Sequence, residues 1–204
     1  MQNALDHLSK NDFLLADIIK AHGIPTFAPH TNYYQELASS IISQQLSVKA
    51  AATIEKRFIA LFGDAPFPTP EQILEKDVEE MRAVGLSRPK AGYIQDLAMK
   101  VLDGTVKFEH LDQLSNQEVI DELTQIKGVG VWTAHMFLMF CMGRLDVLPV
   151  GDLGIRNGIQ RLYGLDRLPS PEDIELIAKD NKWNPYESVA SWYIWQSLDN
   201  APKL

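Results

Sequence analysis

An all-α fold is what this sequence predicts, and three observations predict it. Capping signals recur ahead of apolar runs with helical spacing, no stretch alternates convincingly as a strand, and near the middle two helical patterns meet at a glycine-rich bend, Gly128-Val129-Gly130. About ten helices are expected.

Taken in order, residues 1–32 form a flank with short helices over 4–10 and 13–21, closed by Gly23 and Pro25, and carry no evident chemistry. Helices over 33–42 and 47–62 are joined by Ser43-Gln44-Gln45-Leu46, and alanines at 50, 51 and 52 allow close packing of the second. Pro66, Pro68 and Pro70 mark a loop, with Thr69 capping a helix to Glu75 and Asp77 capping another. Gly85-Leu86-Ser87 then stops one helix and caps the next, over 89–101. Ser115 and Glu118 have the spacing of a capping box, and Val119, Ile120, Leu123 and Ile126 extend that helix to about Gln125.

At the bend, two glycines can take positive φ and reverse the chain before a second helix. Amides exposed there, beside the positive end of the next helix, suit a phosphate oxygen and read no base, although a plain helix hairpin explains the same letters. Residues 131–142 are apolar nearly all round, which predicts one central helix with Met136, Phe137, Met139 and Phe140 in the core and His135 buried and satisfied. Asp152 stands before a helix over 153–163 that Gly164 stops. Aspartate is a favoured cap, and the positive end of the helix also keeps such a carboxylate ionised, so capping and catalysis are compatible. Ser170 caps a helix to Asn181, and Pro185 or Tyr186 opens the last, to Leu198, rich in Trp192, Tyr193 and Trp195.

With 204 residues, 46% of them apolar, the chain can build one sizeable core or two small lobes sharing a cleft. A single cysteine, Cys141, excludes an internal disulfide and a four-cysteine iron–sulfur cluster. Five histidines show no metal-ligand spacing. The N-terminal thirteen residues hold two aspartates and no long apolar run, and the most apolar window is too short for a membrane span. A soluble, cytoplasmic protein without a membrane partner is expected, associated with the nucleoid if bacterial. A net charge of −8 argues against a nucleic-acid partner, softened by Arg82, Arg88, Lys90, Lys100 and Lys107, which outnumber the acids around them.

Leu123 to Ala134, LTQIKGVGVWTA, together with Leu148-Pro149-Val150-Gly151-Asp152, resembles the hairpin, loop and aspartate of the helix-hairpin-helix DNA glycosylases, and residues 33–198 as a whole look like their 3-methyladenine (alkylation repair) branch in its compact form, without the extra N-terminal domain. The resemblance implies a single domain of two helical lobes around a cleft, acting on double-stranded DNA with alkylated bases. It implies Asp152 as the catalytic acid, and Trp132, Trp195, Met136 and Gln196 at the base pocket. It puts Gln45 at the wedge that fills the hole left by an extruded nucleotide, and Gly128, Val129, Gly130, Thr133, Arg88 and Lys90 against DNA. Gln44 and Gln45 could equally end a helix, and Arg88 and Lys90 could equally cap and complement a helix dipole. The hairpin carbonyls of Thr124, Ile126 and Val129 are implied ligands of a structural Na+ or K+, with no cofactor required and no iron–sulfur cluster. Bifunctional relatives carry a lysine two residues after the second hairpin glycine. Trp132 stands there and cannot form a Schiff base, which points to a monofunctional, water-using enzyme. Met136 departs from a pocket aromatic of some relatives, and Glu187 and Gln196 depart from basic or aromatic residues. The expected activity is hydrolysis of the N-glycosidic bond of alkylated purines in base excision repair, by a monomer. A glycosylase for another purine lesion and a non-enzymatic DNA-binding hairpin module are the alternatives.

Overall fold

The computed structural model describes residues 1–63 and 67–198, so Pro66 lies outside the described residues. Among these residues there are twelve α-helices and no strand: α1 (Gln2–Asn11), α2 (Phe13–Ala21), α3 (Tyr33–Ser43), α4 (Val48–Ala60), α5 (Pro70–Leu74), α6 (Val78–Ala83), α7 (Arg88–Leu102), α8 (Asn116–Leu123), α9 (Val131–Met136), α10 (Leu153–Tyr163), α11 (Pro171–Asp180) and α12 (Glu187–Gln196). Short-range chemistry fixes most starts. Ser47, Thr69, Asp77, Ser87, Ser115, Asp152 and Ser170 each accept a bond from the backbone N–H three residues on, and four of these caps are reciprocal capping boxes. Gly85 (φ +113°) follows α6, and Gly164 (φ +64°) ends α10 in the left-handed region where a side chain is disfavoured. A 3₁₀ segment, Phe108–Gln113, was not signalled by the apolar spacing.

Two compact units divide the chain: His30–Phe137, and Met1–Pro29 together with Leu138–Leu204. The N-terminal residues are therefore not a flank but part of the unit that carries α10 and α12. In that unit α1 and α2 pack on each other and on α12, which also packs on α10. Asp12 ties it together: 1% exposed, it accepts bonds from Leu15 N (3.0 Å), the Trp183 indole N–H (2.8 Å) and the Tyr163 hydroxyl. Burial and the Asp12 carboxylate both push the Tyr163 hydroxyl well above its ordinary range, so it stays a proton donor.

The other unit is built around α7, which packs on α3, α5 and α6, while α8 and α9 form the helical hairpin. Ile94, Leu97 and Ala98 of α7 are fully buried.

Residues 131–142 do not form the single central helix that their apolarity suggests. Regular α-helix stops at Met136, a π-turn spans Phe137–Cys141, and Gly143 (φ +69°) closes it with a bond from Arg144 N to Leu138 O (2.9 Å). The division between units falls at its first residues. Phe137 and Met139 are buried as expected, Met136, Phe140 and His135 only partly, and Val131 and Trp132 are about half exposed. The helix buried on nearly every side is α12, where Ser188, Val189, Ala190, Ser191, Tyr193, Ile194 and Trp195 are all inside.

Candidate functional site

In the unit that carries α12, Asp152 is set by three local devices. Its backbone N–H bonds Pro149 O (2.9 Å), which folds residues 149–152 into a turn. Its side chain caps α10, with Oδ1 accepting from Ile155 N (2.8 Å). The same oxygen accepts from the Trp195 indole N–H (2.9 Å). Two donors on one carboxylate oxygen fix the plane of the group and leave it little rotational freedom.

The approach of Trp195 depends on Gly154. A methyl group there would lie 3.0 Å from Asp152 Oδ1, 3.0 Å from Trp195 Nε1 and 3.1 Å from Trp195 Cδ1, so α10 comes this close to the indole only because residue 154 has no side chain. Helix α12 holds the site a second way. Ser188, fully buried and two turns before Trp195, donates to Arg144 O (2.8 Å) and accepts from Val147 N (3.1 Å), and its backbone N–H bonds Leu145 O (2.9 Å). Ser188 thus anchors the strand of loop that leads to Asp152. Neither Gly154 nor Ser188 was signalled by the sequence, because a glycine inside a helix and a serine in a buried one carry no local motif.

Trp195 is 3% exposed, so its edge acts on Asp152 and little of its face is open. Gln196 beside it is partly exposed.

The remaining expected site residues lie in the other unit. Gln45 is exposed, in the left-handed region (φ +58°), between α3 and α4. Gly128 is also left-handed (φ +82°) and lies flat against the Tyr93 ring, where a methyl group would come within 2.2 Å of Cδ2. The Gln44 amide donates to Gly128 O (3.0 Å). Hairpin amides are less available than the glycine pattern suggests: Lys127 N bonds buried Asp96 (2.8 Å) and Val129 N bonds Ile126 O (3.1 Å). Gly130 caps α9 without a side chain, so the first turn of α9 presents backbone N–H groups with no capping oxygen of its own. Thr133 is buried and Trp132 is 52% exposed.

The two basic residues Arg88 and Lys90 stand differently. Lys90 does not point outward: its ammonium donates to Ile42 O (2.8 Å) and Gln44 O (2.5 Å), on the last carbonyls of α3. Burial lowers its pKa below the ordinary lysine value. It complements a helix dipole, but that of α3 rather than of its own helix. Arg88 is exposed and paired with Glu79. Of the hairpin carbonyls at Thr124, Ile126 and Val129, that of Ile126 accepts from Val129 N (3.1 Å) and keeps a second lone pair. No cluster of three or more His, Cys, Asp or Glu suited to a metal occurs among the described residues, and no described helix is long and apolar enough to cross a membrane.

Known proteins share this fold. The structure superposes with a TM-score of 0.83 on a DNA-3-methyladenine glycosidase from Bacillus halodurans, 38% identical over 95% of this chain and 88% of that one. The Schizosaccharomyces pombe 3-methyladenine DNA glycosylase bound to abasic DNA gives 0.78, at 35% identity over 98% and 100%. Among curated relatives, DNA-3-methyladenine glycosylase 1 of Schizosaccharomyces pombe is 39% identical over 80% of this chain and 72% of its own length. A putative DNA-3-methyladenine glycosylase of Bacillus subtilis is 33% identical over 98% and 70%. The family model for the HhH-GPD superfamily base excision DNA repair proteins matches residues 38–183. That model spans well over half of the sequence, and the chain belongs to the HhH-GPD superfamily of base excision DNA repair proteins.

Proposed function

We propose that this protein is a monofunctional DNA glycosylase that hydrolyses the N-glycosidic bond of alkylated purines of the 3-methyladenine class, extruded from duplex DNA in base excision repair. The observation that carries the reading is the Asp152 carboxylate, fixed at the start of α10 by Ile155 N and the Trp195 indole. A fixed anion at that point stabilises positive charge as it develops at C1′ and orients the attacking water. Water adds its oxygen to C1′ and gives up a proton, while the C1′–N bonding pair leaves with the base. An alkylated purine carries positive charge and departs neutral, so the enzyme need supply no strong general acid.

Trp132 offers a half-exposed ring suited to a cationic, electron-poor base, through cation–π and stacking contributions of about 1–3 kcal/mol. Its place two residues after Gly130 supplies no amine, so strand cleavage through a Schiff base is not part of the reaction. Gln45, exposed on a left-handed turn, is the wedge, and the hairpin at residues 128–130 holds the DNA backbone, with a Na+ or K+ on the carbonyls of Thr124, Ile126 and Val129. The enzyme acts as a cytoplasmic monomer.

Release of free base from methylated duplex DNA tests the reading. Wild type releases base and Asp152→Asn does not. Equal release by both removes Asp152 from the chemistry, and no release by wild type leaves a DNA-binding module without glycosylase activity.

A further inference from the structure

We propose that Lys90 is a positioning residue, which together with Gln44 sets the wedge turn in register with the glycine hairpin, and does not contact phosphate. The inference rests on the reading of Gln45 as the wedge.

Helix α7 carries Lys90, Tyr93 and Asp96 at intervals of three, along one strip of its surface. Each holds a different part of the proposed DNA-facing segments. The Lys90 ammonium takes the carbonyls of Ile42 (2.8 Å) and Gln44 (2.5 Å), immediately before Gln45. The Tyr93 ring lies against Gly128. Asp96, 4% exposed, binds Lys127 N (2.8 Å) and the Lys127 ammonium (3.2 Å). The Gln44 amide closes the circuit by donating to Gly128 O (3.0 Å).

Glutamine is disfavoured at a φ of +58° and keeps it only where its surroundings over-determine the backbone. Here the constraint comes from both sides: the carbonyls before Gln45 are fixed by Lys90, and Ser47 after it caps α4. A wedge is useful only if it reaches the base stack while the backbone beside the lesion is already gripped, so the spacing between turn and hairpin has to be set before DNA arrives. A cation held by two carbonyls and partly buried is poorly placed to give them up for a phosphate.

The test compares Lys90→Met, Lys90→Arg and Gln44→Met with wild type. In the protein alone, amide exchange at residues 43–47 is expected to speed at least tenfold in K90M and to return close to wild type in K90R. In single-turnover excision, K90M is expected to lower at least tenfold the ratio of rates on a lesion in paired duplex and on one opposite an abasic site, where extrusion is cheap. Q44M, which removes the single bond to Gly128 O, should lower the same ratio less and covers the case in which K90M fails to fold. The slope of log K against log salt for duplex binding should match wild type. A slope reduced by about one charge, with unchanged exchange at 43–47, would identify Lys90 as a phosphate contact and overturn the proposal. Absence of excision by wild type overturns the glycosylase reading instead, and the exchange measurement still decides the role of Lys90.

Discussion

Replacing Gly154 with alanine isolates the link between Trp195 and Asp152. The added methyl sits 3.0 Å from both Asp152 Oδ1 and Trp195 Nε1, about 0.4 Å inside ordinary contact. Trp195 is 3% exposed and has little room to retreat, so the displacement falls on the indole–carboxylate bond. A hydrogen bond to a charged group contributes about 1.5–3 kcal/mol, which, if lost from the reacting geometry, lowers kcat about 10- to 100-fold. Helix propensity works the other way, because alanine is favoured over glycine by up to about 1 kcal/mol. Activity and stability therefore separate, with kcat for base release falling while the melting temperature changes by only a few degrees and KM moves little. Trp195→Phe, which keeps an aromatic ring and removes the donor, should lower kcat by a similar factor, and G154A should cost less in that background because the bond it disturbs is already gone. Single-turnover excision by all three variants measures these effects. G154A within twofold of wild type would show that the site does not need the room the glycine provides.

Gly128→Ala combines a left-handed φ with a methyl 2.2 Å from the Tyr93 ring, so a loss of about 2–5 kcal/mol is expected by thermal melting, with partial recovery when Tyr93 is also cut to alanine. Asp12→Ala orphans the Leu15 amide, the Trp183 indole and the Tyr163 hydroxyl, and should cost about 3 kcal/mol or more in denaturant unfolding. Burial lowers the pKa of His135 in the folded protein, so the unfolded chain takes up a proton more readily. Its contribution to stability is therefore full above the unfolded value of about 6.5 and is lost as pH falls below it, and the drop in melting temperature between about pH 7 and 5.5 should shrink in His135→Gln.

Much of the frame was legible in the sequence because the signals that set it are local. A serine or aspartate that accepts the N–H three residues on announces a helix start wherever it stands, and Ser47, Ser87, Ser115, Asp152 and Ser170 all act so. What was not legible lies between residues far apart in sequence. Apolar spacing cannot show that Lys90 reaches back to carbonyls 48 and 46 residues earlier, or that Asp12 receives hydrogen bonds from donors 151 and 171 residues later. In the final helix Ser188 and Ser191 are fully buried, the first to hold the loop before Asp152, a role that no local spacing announces. At Trp195 the resemblance implied a place at the base pocket, and the geometry adds a bond from its N–H to the acid that no local pattern shows.

Charge makes the same point about the acidic protein and its DNA. The cations grouped between residues 82 and 107 suggest a basic face, but Arg82 and Arg88 both pair with Glu79, and Lys90 turns inward to α3. These engagements differ in how easily they are given up. Arg82 and Arg88 are well exposed, their pairing with Glu79 is worth about 0–1 kcal/mol in water, and a phosphate can replace the carboxylate at small cost. Lys90 satisfies two carbonyls that would be left without a partner at the end of α3, next to a strained residue, so moving it disturbs the turn it supports. Basic residues two apart in sequence therefore divide between an exposed cation whose partner a phosphate can replace and one spent inside the fold on the turn before α4.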